Sequence, residues 1–193
     1  MSRFTTDELV ARTRAALAER ARRDVPPGPL IRAAVLLPIV DRDEPYVLFA
    51  KRTERVGHHK GQIAFPGGTI SARDGSPLDA ALRECEEEVA LPRAAVEVLG
   101  ALDDSETVAT PFIITPFVGV IREPVAWKPD GEEIERVIEV PYAALSEPDA
   151  FRVEYSDRTG MLRPIYYFDW QGDTIWGATA RILKHYLELV EPA

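Results

Sequence analysis

Glu84, Glu87 and Glu88 stand close together in a segment with helical patterning. At about 100° per residue they cluster within about 100° of arc, centred roughly 140° away from an apolar stripe of Leu78, Leu82, Cys85 and Val89. The stripe predicts a core-facing side, and the three carboxylates an exposed one. Glu86 falls elsewhere and reads as a solvated surface charge. Like charges at these spacings repel by about a few tenths of a kcal/mol per pair. The last turns of a helix disfavour anions by roughly 0.3–1 kcal/mol more. A divalent cation would reverse both penalties, and hard cations such as Mg²⁺ take oxygen ligands, waters and substrate phosphate together. A plain solvated acidic face would give the same helix. The neighbourhood adds a Gly67-Gly68 turn and the cations Lys51, Arg52, Arg55 and Lys60 upstream. Free backbone amides, a carboxylate face and nearby cations together suit a diphosphate.

The elements that must position these groups follow from local signals. Thr5 and Glu8 have capping-box spacing, predicting a first helix that runs to about Arg23 and stops at Pro26, Pro27 and Pro29. Residues 31–40 and 46–50 read as strands joined by a turn, and 62–65 as a short extended piece. Pro66-Gly67-Gly68 reads as a break in regular structure. The acidic helix spans about 79–89. Strands are expected at 96–102, 111–121, 133–140, 151–155, 164–170 and at Ile175, with a polar loop at 103–109 and another at 124–131. Ala178, Ile182, Leu183, Tyr186, Leu187 and Val190 have the spacing of a closing amphipathic helix. With no repeat and no linker, the whole chain, 1–193, reads as one domain of mixed α/β layers, with residues 1–30 as a helical, proline-rich lead-in.

Composition bounds the partners. Apolar residues make up 46% of the 193-residue chain and charged residues 28%, as in ordinary globular proteins. A net charge of −9 speaks against a broad nucleic-acid footprint, while leaving room for a small anion beside local cations. No apolar run approaches the ~20 residues of a membrane span, and no secretory leader pattern opens the chain, so a cytoplasmic location is expected. The single cysteine, Cys85, excludes an internal disulfide framework and reads as a core thiol. Nothing in the composition fixes an oligomeric state.

Arg83-Glu84-Cys85-Glu86-Glu87-Glu88-Val89-Ala90-Leu91 resembles the second half of the Nudix hydrolase signature, with Ala90 where the family has glycine. The spacing from Gly68 to Arg83 is one residue longer than the general pattern, and Asp74 stands where that pattern has glutamate. Upstream, Leu48-Phe49-Ala50-Lys51-Arg52-Thr53 and Gly61-Gln62-Ile63-Ala64-Phe65-Pro66-Gly67-Gly68 resemble a motif of the coenzyme A pyrophosphatase subfamily. So does Ile175-Trp176-Gly177-Ala178-Thr179-Ala180-Arg181-Ile182-Leu183 near the C-terminus. Ser71 departs from that subfamily, which carries an acid there; Asp74 suits it.

The resemblance implies a Nudix-type α/β/α sandwich with a mixed sheet, in which residues 68–91 form a loop–helix–loop catalytic box. It implies Mg²⁺ or Mn²⁺, and water attack on a diphosphate of coenzyme A or its derivatives, giving 3′,5′-ADP and 4′-phosphopantetheine. The alternative is the same chemistry on ADP-ribose, a dinucleotide or a nucleoside triphosphate. Carried onto this sequence, Glu84 and Glu88 are expected metal ligands and Glu87 a further ligand or water-orienting group. Arg83 is expected to hold one of these glutamates. Gly68 would offer its carbonyl and admit close approach. Lys51, Arg52, Arg55, His59, Gly67 and Gly68 are the substrate-binding candidates, with His58 in the same loop. Glu133 and Glu135 are candidate bases that also fit plain surface charges. Trp127 is a candidate base-stacking ring, and Trp176 and Tyr186 are expected to pack the closing helix.

Overall fold

The computed structural model describes residues 4–26, 28–55, 60–107, 110–147, 149–157 and 162–191. Helix α1 spans Thr6–Ala18, with Thr5 and Glu8 forming the expected reciprocal cap. It ends well before Arg23. The residues after it are irregular, and their cations are held elsewhere. Arg20 donates to Asp103, and Arg22 and Arg32 both donate to Asp104.

Strands β1 (Ile31–Asp41) and β2 (Pro45–Arg52) form a hairpin that pairs only near its turn, from Ile39 opposite Val47 to Asp41 opposite Pro45. Beyond it the strands diverge. The gap is filled by β3 (Ile63–Ala64), paired to the end of β2, and β4 (Gly67–Thr69), paired to the start of β1. Gly67-Gly68 is therefore strand rather than a break. The expectation failed because glycine carries little β propensity, and here the pairing partner supplies the structure.

The main sheet is completed by β5 (Glu97–Ala101), β6 (Ser105–Glu106), β7 (Phe112–Ile121) and β8 (Ile134–Pro141). β6 lies inside the expected polar loop, where it pairs with β7. β1 and β7 run parallel from Ile31 opposite Phe112 to Val40 opposite Ile121, and the other pairings are antiparallel, so the sheet is mixed.

Helix α2 (Pro77–Val89) covers one face of this sheet. Leu82, Cys85 and Val89 pack there with Leu36, Leu48 and Ile121, as the stripe predicted. Ala80 and Ala81 pack on Ala34, which lets the helix lie close to β1. One-turn helix α3 (Tyr142–Leu145) leads to a second, three-stranded sheet of β9 (Phe151–Ser156), β10 (Arg163–Trp170) and β11 (Asp173–Trp176). Helix α4 (Gly177–Val190) closes the opposite face together with α1. Tyr186 is fully buried there, its hydroxyl 2.9 Å from that of Thr13. Trp176, by contrast, is 43% exposed and stacks on Tyr167, because it caps α4 from the end of β11 rather than lying within the helix. No helix among the described residues is long and apolar enough to cross a membrane.

Candidate active site

The wedge of β3 and β4 between the diverging strands brings two glycines under α2. Gly67 has φ +148°, and a Cβ there would sit 2.4 Å from the Ala34 carbonyl oxygen. No other residue type fits that packing against β1. At Gly68 a Cβ would come within 2.6 Å of the Glu84 carboxyl carbon. The Glu84 carboxylate thus lies on bare backbone. One turn further along the helix, Glu88 Oε2 accepts a 3.0 Å hydrogen bond from the Gly67 N–H.

Arg83 organises the outer side. Its Nη1 donates to Glu84 Oε1 at 2.7 Å and to Glu87 Oε2 at 2.8 Å. Its Nε and Nη2 form a two-pronged pair with Asp74 at 2.8 and 3.1 Å. Arg83 therefore holds two glutamates, where one was expected. Asp74 is the anchor that sequence reasoning missed as a role: it fixes the guanidinium and also accepts from the Ser71 N–H and hydroxyl. The side-chain bonds from Arg83 and the N–H of Ser71 hold its carboxyl well below the usual range.

Glu88 departs from the expected exposed face. It is 5% exposed, because β4 covers it on one side and residues 128–131 fold back over the end of α2. There the N–H groups of Lys128 and Asp130 donate to the Val89 and Glu88 carbonyls. Burial pushes the Glu88 carboxyl up to about 8, against the pull of the Gly67 N–H and of Arg52. Asp130 fixes the strand entry by accepting from the N–H groups of Glu132, Glu133 and Ile134. Arg52 then bridges inward and outward, 3.8 Å from Glu88 and 2.9 Å from Glu133. Glu133 is thereby joined to the site, whereas Glu135 is exposed on β8 and makes no ion pair among the described contacts.

The upstream cations separate. Adjacent strand residues point to opposite faces, so Arg52 faces α2 while Lys51 points to the other side. There Lys51 donates to Asp173 at 3.3 Å, and Arg136 pairs with the same carboxylate. The structure brings Arg52, but not Lys51, to the glutamates. Arg55 is exposed, and His58 and His59 lie outside the described residues. Trp127 packs against the core on the α2 side and donates its indole N–H to Glu139. Cys85 is a buried thiol whose pKa burial raises.

Among the described residues, no three acidic, histidine or cysteine side chains converge tightly enough to hold a metal ion between them as they stand. Glu87, half exposed, faces Arg83 and Arg73. Glu84 and Glu88 are the carboxylates that meet the glycine strand. Their hard oxygen donors, beside a cradle that a Cβ at Gly68 would fill, fit a divalent cation with waters and phosphate oxygens completing its shell.

Comparisons with known proteins identify the family. The NUDIX domain model matches residues 30–158. The uncharacterized Nudix hydrolase NudL of Salmonella paratyphi B is 38% identical over 152 residues, 79% of each chain. The same protein of Salmonella newport matches equally. Among solved structures, the Nudix hydrolase RenU of M. smegmatis superposes with a TM-score of 0.50 at 23% identity, covering 59% of this chain and 72% of that one. The NUDIX domain of Shewanella oneidensis NrtR, complexed with ADP ribose, gives 0.50 at 18% identity over 61% and 77%. The chain belongs to the Nudix hydrolase family: it is a pyrophosphohydrolase, of a class that works with divalent metal ions on small nucleotide substrates.

Proposed function

We propose that this enzyme hydrolyses the diphosphate of coenzyme A or its derivatives, releasing 3′,5′-ADP and 4′-phosphopantetheine or its acyl form. The observation that carries the chemistry is the seating of Glu84 on Gly68 and of Glu88 on the Gly67 N–H. Support for the substrate is the upstream segment, whose Leu48–Thr53 and Gly61–Gly68 resemble the coenzyme A subfamily. Here those stretches build β2, β3 and β4, the strands that deliver both glycines and Arg52 to the glutamates. The alternative substrate is another nucleoside diphosphate derivative such as ADP-ribose.

In this reading Glu84 and Glu88 hold Mg²⁺ or Mn²⁺, with Glu87 as a further ligand or a group that orients water. When bound, the ion neutralises diphosphate charge and lowers the pKa of water. The chain's own residues do the rest. Arg83 keeps Glu84 and Glu87 aimed, and Asp74 keeps Arg83 aimed. Arg52 places positive charge beside Glu88 at the rim. Glu87 and Glu133, exposed carboxylates tied to the site by Arg83 and Arg52, would be the groups that take a proton from water. As the water oxygen bonds to one phosphorus, the bridging P–O bond breaks and its electron pair leaves on the other phosphate.

The test is chromatographic. Purified protein with Mg²⁺ and coenzyme A is expected to give paired 3′,5′-ADP and phosphopantetheine, and Glu88→Gln to give neither. Cleavage of ADP-ribose with coenzyme A left intact would move the assignment to the alternative.

A further inference from the structure

Strand β9 is an open edge. Among the described residues only β10 pairs with it, from Phe151 opposite Phe168 to Ser156 opposite Arg163. The two-residue turn Gln171-Gly172, with φ of 51° and 87°, closes β10 onto β11, with Trp170 opposite Asp173. In such a hairpin the flanking pair exchanges hydrogen bonds. Alternation then turns the backbone groups of Trp170, Phe168, Tyr166 and Pro164 toward β11, and those of Tyr167, Ile165 and Arg163 toward β9. Pro164, which has no N–H, fits that assignment. On β9 it is therefore Arg152, Glu154 and Ser156 that bond to β10. The N–H and C=O groups of Phe151, Val153 and Tyr155 point outward.

The side chains on that edge are self-complementary. Phe151, Val153 and Tyr155 share one face and Arg152 and Glu154 the other. Val153 is 42% and Tyr155 66% exposed. Natural edge strands are commonly blunted by charged side chains, lysine above all, or by proline; β9 contains no lysine or proline, and its two charges, Arg152 and Glu154, are of opposite sign. We propose that β9 pairs, antiparallel, with β9 of a second copy of this chain about a two-fold axis through Val153. Val153 then exchanges both main-chain hydrogen bonds with its own copy, and Phe151 does so with Tyr155 of the other chain. Those are the groups that point outward. Arg152 falls opposite Glu154 in both halves of the interface. The exposed Tyr155 ring lands beside Phe151, which already packs against Tyr166 and Phe168. Moving the axis by one residue sets Glu154 against itself or Arg152 against itself, so charge fixes the register. Within one chain Arg152 pairs with Glu154 and lies 4.4 Å over the Tyr167 ring of β10, so pairing across the edge requires its guanidinium to swing from Tyr167 to Glu154 of the second copy. The two small sheets merge into one continuous sheet with an isologous interface.

Sedimentation equilibrium of the full chain, from micromolar to hundreds of micromolar, tests this. A reversible dimer is expected. Arg152→Glu and Glu154→Arg should each weaken it by about tenfold or more, since each places like charges opposite one another twice. An equimolar mixture of the two variants should restore association, because opposite charges then meet at both positions. Val153→Pro removes an outward donor but none of the bonds to β10, and should also give monomer. Circular dichroism and melting confirm that each variant is folded. A wild-type monomer across the whole range, or a dimer indifferent to all three substitutions, overturns the proposal.

Discussion

The carboxyl group of Glu84 occupies the space that a side chain at Gly68 would need, 2.6 Å from where its Cβ would be. Gly68→Ala must push the carboxylate aside. The obstructing atoms are the end of a flexible side chain, so the fold should survive with a loss of about 1 kcal/mol or less. Turnover should fall by about tenfold to a hundredfold, since a misplacement of about 1 Å in a reacting site can cost that much. Steady-state kinetics beside a thermal melt checks it. Unchanged kcat would mean that the position of Glu84 does not matter to the reaction.

Ala90 ends α2 in the left-handed conformation, with φ 57° and ψ 35°. This is the position at which the family pattern has glycine, and the backbone keeps the glycine shape without the glycine. A Cβ in that region costs roughly 1–2 kcal/mol, offset in part because alanine restricts the unfolded chain. Ala90→Gly should therefore stabilise the protein by about 0.5–1 kcal/mol, raising Tm by roughly 1–4 °C, with catalysis unchanged. A lower Tm would show that the Ala90 methyl group contributes packing that outweighs the backbone strain.

Much of this was legible in sequence, and the failures have physical causes. The two faces of α2 followed from helical period alone, and Leu82, Cys85 and Val89 are buried as that period requires. The burial of Glu88 was not legible, because its cover comes from β4 and from residues 128–131, both distant along the chain. Strand β4 was invisible because two glycines carry no strand signal, and its pairing depends on how far β1 and β2 diverge. The separation of Lys51 from Arg52 was readable in principle. Consecutive strand residues face opposite ways, and applying that rule to residues 46–52 would have parted them. The early end of α1 depended on Asp103 and Asp104, some eighty residues away from the arginines they hold.

That arginine clamp sets the response to acid. The Asp104 carboxylate is inaccessible to solvent and accepts from Arg22, Arg32, the Thr115 hydroxyl and the Val25 N–H. Burial alone would raise its pKa, but the bonds from Thr115 and Val25 and the charge of Arg22 win, and it lies below its ordinary value of 3.8. Asp103 is likewise lowered by Arg20 and the Arg23 N–H against its own burial. A depressed carboxyl stabilises the fold above its unfolded pKa, and that contribution disappears as pH falls through the folded value. Stability should thus decline as pH drops below about 4. Asp104→Asn should cost about 2–3 kcal/mol at neutral pH, since it leaves two guanidinium groups facing a neutral amide. Its melting temperature should depend less on pH than that of wild type on the acid side. Equal acid slopes in the two proteins would place the acid sensitivity elsewhere.

Glu88 has the opposite sign, and Glu88→Gln separates its roles. In chelator the folded protein holds a proton on Glu88 up to about pH 8, while the unfolded chain releases it near 4.5. Between those values the folded state binds more protons, so stability falls as pH rises from about 4.5 toward 8. Glutamine has the same shape and no proton to lose, so the metal-free variant should lack this decline and melt above wild type at pH 8. Adding Mg²⁺ or Mn²⁺ at pH 8 should raise the wild-type Tm by mass action and the variant's much less. Turnover of the variant should fall by about a hundredfold or more. If the variant instead gains as much thermal stability from the cation as wild type, Glu88 is not a ligand, whatever happens to its activity. If the metal-free wild type is no less stable at pH 8 than at pH 5, the buried carboxyl is already compensated by Arg52, and the cation has less to gain there.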